Sequence, residues 1–149
     1  MMDMAVWQNY MKLLDSLGDT LDKLTEIERT KTAAVSRGDL PAVEECMKQE
    51  QVISLTLRGM DQKREKLLGQ LGLTGVPLRE LEARGPEERR MDTRQAVERL
   101  RRRYEIFQSA SEVARNALEC NLHAIEQFQK AKNAPPEEEG PRLGADFRV

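Results

Sequence analysis

The clearest pattern in this chain lies toward its C-terminus. Val97, Leu100, Tyr104, Phe107, Ser111, Ala114, Leu118, Asn121, Ile125 and Phe128 fall alternately three and four residues apart. That spacing puts them on one stripe of one long helix, with the period of a coiled coil. Such a stripe must be buried against another surface. Three things could cover it: another part of this chain, a second copy, or a client.

Two earlier segments repeat the pattern. Trp7, Tyr10, Leu14, Leu17, Leu21 and Leu24 predict a helix over 3–36, whose stripe turns polar at Glu28 and Lys31 and regains Val35. Gly18 is a weak point in it, costing about 1 kcal/mol against alanine. Val43, Cys46, Glu50, Ile53, Leu57, Met60, Arg64, Leu67 and Leu71 predict a second helix over 40–71. Its polar members, Glu50 and Arg64, are expected to pack their stems and hold their heads at the rim, worth little in stability if exposed.

The punctuation between these stripes is equally readable. Gly38 suits the left-handed position that ends a helix, Asp39 the N-cap of the next, and Pro41 its first turn. A stop and a start so close predict an antiparallel helical hairpin. Gly72, Gly75 and Pro77 break the second helix. A short helix over 77–83 should direct Leu78 and Leu81 at the core. After Gly85-Pro86 a third helix is predicted over 87–132, on the order of 65 Å long at ~1.5 Å per residue, so that part of it projects beyond the others.

The expected fold is therefore all-α: an antiparallel long-helix hairpin plus a third long helix in a coiled-coil-like bundle. One helical domain would occupy 1–132. The remainder, 133–149, is rich in proline, glycine and acid and reads as a flexible tail. Its Leu143, Phe147 and Val149 belong either to a frayed end or to a short docking motif.

Composition sharpens this picture. Charged residues make up 34% of the 149 residues and aromatics 4%, a balance that suits long solvated helices better than an aromatic core. The net charge of −2 gives no general attraction to nucleic acid or acidic membrane. No apolar run approaches the ~20 residues of a bilayer span, and the first residues lack the basic and apolar regions of a signal peptide. A cytoplasmic protein without membrane insertion is expected.

Chemistry is hard to find. Cys46 and Cys120 are far apart with no metal-ligand spacing, and read as reduced, half-buried hydrophobes. His123 is the single histidine, and zinc needs about three or four protein ligands. No glycine-rich phosphate loop, nucleophile elbow or histidine pair is present. No catalytic, cofactor-binding or metal site is expected. Met1, Met2, Met4 and Met11 could furnish an adaptable surface, although core packing and a loose terminus explain them more simply.

One charge anomaly stands out. Arg89, Arg90, Arg94, Arg99, Arg101, Arg102 and Arg103 crowd one stretch, interrupted by Glu87, Glu88, Asp92, Glu98 and Glu105. The interruptions favour a solvated face over a surface for an acidic protein, and both over a phosphate-tracking helix. No nucleic-acid partner is expected.

The run Gly38-Asp39-Leu40, then Lys48-Gln49-Glu50, then Leu57 and Met60 followed by Arg64, Leu67, Leu68 and Leu71-Gly72-Leu73 resembles the FlgN-type flagellar export chaperones. Asn116 and Asn121, late in the third helix, are similar too. The resemblance covers roughly Trp7 to Phe128. It implies a chaperone that binds hook–filament junction proteins in the cytosol, prevents their premature assembly and brings them to the flagellar type III export apparatus at its gate. It also implies that clients meet the C-terminal helical part, here Leu118, Leu122, Ile125 and Phe128, on a monomer or weak homodimer. The competing reading is a coiled-coil scaffold that homodimerises tightly through the third helix, with Asn121 fixing its register.

Overall fold

The computed structural model describes residues 2–130, with side chains described as far as Leu122. The expected tail, 133–149, lies outside the described residues. Among the described residues four α-helices follow one another: α1 (Met4–Arg37), α2 (Leu40–Gln70), α3 (Leu78–Arg84) and α4 (Arg90–Lys130), the last preceded by a 3₁₀ turn over Glu87–Arg89. The described residues contain no strand. The fold is an all-α bundle of long helices packed on one another.

Local chemistry sets the helix ends. Asp3 caps α1, its Oδ1 accepting from the Ala5 and Val6 amides at 2.9 and 3.3 Å. At the far end Gly38 takes φ +70°. The Gly38 amide donates to the Val35 carbonyl at 3.0 Å and the Asp39 amide to the Ala34 carbonyl at 2.9 Å. Those two bonds are a Schellman motif, which consumes carbonyls the helix would otherwise leave unpaired. Asp39 then turns from stop to start, accepting from the Ala42 amide at 3.2 Å as the N-cap of α2. The C-terminus of α2 repeats the device: Leu73 donates to the Leu68 carbonyl at 2.8 Å behind left-handed Gly72, and both leucines join the main core.

α1 is the central helix. It packs against both α2 and α4, which have no comparable interface with each other, while α3 packs on α4. Lys31 meets Glu50 while Thr20 meets Met60, so α1 and α2 run antiparallel. Asp15 pairs with Arg99 and Asp19 with Arg103, one shared offset of 84 residues, so α1 and α4 run parallel. The linker between α2 and α4 makes that parallel return and closes one end of the bundle. Leu71, Leu73, Val76, Leu78 and Leu81 are all buried there with Trp7 and Tyr10.

The main core runs through Leu14, Leu17, Leu21 and Leu24 to Leu67, Leu100 and Phe107, each leucine worth about 1.5–3 kcal/mol of burial. Met2, Met4 and Met11 pack against it, the simpler of the two roles open to them; Met1 lies outside the described residues. A second, smaller cluster of Ala34, Val35 and Val43 sits at the hairpin turn, with Ala117 and Leu118 of α4 against it.

Candidate functional site

The long apolar stripe of α4 is covered by α1. Leu100, Phe107 and Ala114 are buried, and Val97, Tyr104 and Ser111 half-buried. Past Ala114 the cover thins. Leu118 is half-buried against the small cluster at the hairpin turn, and Leu122 is half-buried as well. Asn121 is exposed and donates its side-chain amide to the Ala117 carbonyl of its own helix at 3.0 Å. Ile125 and Phe128 lie on the α4 backbone, but their side chains, like that of His123, fall outside the described ones. Fold geometry thus brings Leu118 to the hairpin turn and leaves the other three further along α4.

Between the two apolar clusters lies a layer that the stripes hinted at but did not join. Glu28 and Lys31 of α1 meet Glu50 of α2, all buried. The Lys31 ammonium pairs with Glu50 and lies 3.4 Å from Glu28 Oε2. Neither Glu28 Oε2 nor Glu50 Oε1 finds an aligned hydrogen-bond donor among the described residues. Two carboxylates share one cation in a place that water does not reach. Burial, then the neighbouring Glu50, push the Glu28 carboxyl up to about 7, with Lys31 opposing. Burial also raises the Cys46 thiol, again with Glu50 adding to the effect.

This corrects the expectation for Glu50, whose head is inside the bundle rather than at its rim. The lysine that breaks the α1 stripe supplies the countercharge that lets it be buried. Arg64 is buried too, held by Asp61 at 3.0 Å. Its guanidinium also reaches Tyr10, whose hydroxyl is raised by burial and drawn back by that cation.

The arginine cluster is a second finding. Arg94 pairs with Glu82 of α3, Arg99 with Asp15, and Arg103 with both Asp19 and Asp22 at 3.4 Å. Gly18 makes that last contact possible, since a Cβ there would sit 2.9 Å from Arg103 Cδ. What reads as a weak point in the helix is the passage for an arginine crossing α1. These pairs are largely exposed, so each contributes little; together they favour the observed register of α4 on α1.

Cys46 is buried but Cys120 is exposed, which corrects the expectation that both are half-buried. No group of three or more histidine, cysteine, aspartate or glutamate residues that could hold a metal occurs among the described residues. No helix among them is long and apolar enough to cross a membrane.

The FlgN protein family model matches the chain over residues 2–139, from the start of α1 past the described end of α4. No curated protein and no solved structure matches. A match of that extent, on a hairpin closed at Gly38-Asp39 and a long returning helix, means that the chain belongs to the FlgN family of flagellar export chaperones.

Proposed function

We propose that the chain binds hook–filament junction proteins in the cytoplasm, prevents their premature assembly and delivers them to the flagellar type III export gate. Family membership supports the chaperone class. One observation supports the place: the fully buried positions of the α4 stripe end at Ala114, beyond which Leu118 and Leu122 are half-buried and Asn121 is exposed. The client site in this reading is Leu118, Leu122, Ile125 and Phe128, on a monomer or weak dimer.

Its mechanism follows from helix packing. A disordered client terminus with amphipathic character lays its apolar face along the open stretch and folds as it binds. The ordering cost, a few kcal/mol, limits net affinity and so permits release at the gate. Masking that segment also keeps it from pairing with its assembly partners. Binding and release need no bond-making step, and the family is one of chaperones rather than enzymes.

Co-expression with the two junction proteins of the same organism, followed by size-exclusion chromatography with light scattering, tests the reading. A stable complex lost on trimming the client's disordered terminus is expected. Changing Ile125 and Phe128 together to serine should abolish the complex while helicity and melting stay nearly unchanged. Unfolding of that variant would assign the pair to the core and move the client site elsewhere.

A further inference from the structure

α4 presents a second apolar line, separate from the stripe packed on α1. Ile106, Ala110 and Val113 stand at i, i+4 and i+7, with Ile106 44% and Val113 55% exposed. They line a groove of about 470 Å³ between α4 and α1, bordered by Arg29 and Thr32 from α1 and by Arg102, Glu105 and Ser109 from α4. Isolated exposed apolar residues are ordinary on a protein surface. Three in helical register along the seam of two parallel helices form the kind of groove a third helix fills.

Charge identifies the kind of helix. Arg99, Arg101 and Arg103 all have acidic partners, but Arg102 has none among the described residues. Arg29 is held by Glu26 alone, an exposed neighbour on its own helix, and Glu105 already has Arg101 at 4.0 Å. Two cations and one carboxylate thus line the groove, and Arg102 is the cation left without an acidic partner among the described residues. A carboxylate seated there would meet a cation with nothing to displace.

We propose that the groove between α1 and α4 takes an acidic amphipathic helix of the client. That helix is two to three turns long, apolar at i, i+3 or i+4 and i+7, with an aspartate or glutamate beside Arg102. The inference rests on the chaperone reading and extends the client surface from the end of α4 back along its neighbouring face. The guest becomes a further helix of the bundle, packed about 8–10 Å from the axes of both hosts.

The test measures capture of the two full-length junction proteins by the full chain and by four sets of variants, one of them Leu122→Ser at the end of α4. Ile106→Asp with Val113→Asp, and separately Arg102→Glu, alter the groove. Val52→Asp with Leu55→Asp alter side chains on α2 that are 65% and 66% exposed and do not line it. Thermal melts of each accompany the binding. The groove variants should melt like the wild type and bind about ten-fold or more weakly, a cost set by one lost apolar anchor or one lost charge pair. The Arg102→Glu loss should shrink at high salt, and the α2 variants should bind normally. If the groove variants bind as tightly as wild type while Leu122→Ser weakens capture, the inference falls and the chaperone reading stands. If the wild type captures neither junction protein, both fall.

Discussion

Glu28 carries a cost that its neighbours only partly offset. A buried carboxylate with one shared cation and a second carboxylate beside it prefers to keep its proton. Native Glu28 does so up to about pH 7, whereas the unfolded side chain releases its proton near 4.5. The native state therefore binds an extra proton between those values, and this residue's contribution to stability falls as pH rises through that window. Glu28→Gln preserves the shape and removes the charge, leaving Lys31 and Glu50 as a matched pair. The variant should be more stable than wild type at pH 8, by on the order of 2 kcal/mol, and close to it at pH 5. Thermal melts of both proteins at the two pH values check this. A variant less stable at pH 8 would mean that Lys31 depends on the Glu28 charge.

At the scale of the element, the hairpin turn shows how much one residue decides. Gly38 carries φ +70° and lets two amides reach back into α1 while Asp39 begins α2. A β-branched residue resists that conformation, so Gly38→Val should destabilise by at least about 1 kcal/mol, seen as a lower midpoint in denaturant. An unchanged midpoint would show that the turn can close another way. The same turn was legible in the residues, because glycine followed by an N-cap and an early proline is a local instruction. α4 was legible for the same reason, through the period of its stripe. The role of Gly18 was not: it depends on Arg103, brought to it by the register of a helix far along the chain.

At the scale of the whole molecule, α1 is the member on which the others depend. α2 and α4 each pack on it and scarcely on one another. Leu17 is fully buried in the main core, so Leu17→Ala should cost about 2–5 kcal/mol and lower the melting of all helices in one transition. Leu118→Ala, half-buried at the edge of the small cluster, should cost less and leave the main core intact. Circular dichroism melts distinguish the two, and equal costs would place the end of α4 within the core.

The sequence by itself determined the helices, their stops and the all-α class, because capping and hydrophobic period act over a few neighbouring residues. Resemblance in the residues from Gly38 to Leu73 carried the family as well. Tertiary structure alone decided which charges meet. Glu28 and Lys31 looked like an interruption in one stripe and Glu50 like a rim residue in another; only the register of the closed hairpin makes them one buried layer. The crowded arginines form the largely solvated face that their pattern suggested, but only the parallel return of α4 sets Arg99 against Asp15 and Arg103 against Asp19 and Asp22, leaving Arg102 over an apolar groove. Such pairings depend on how distant segments are brought together, and burial then sets their energies by removing water from groups that are exposed in the unfolded chain.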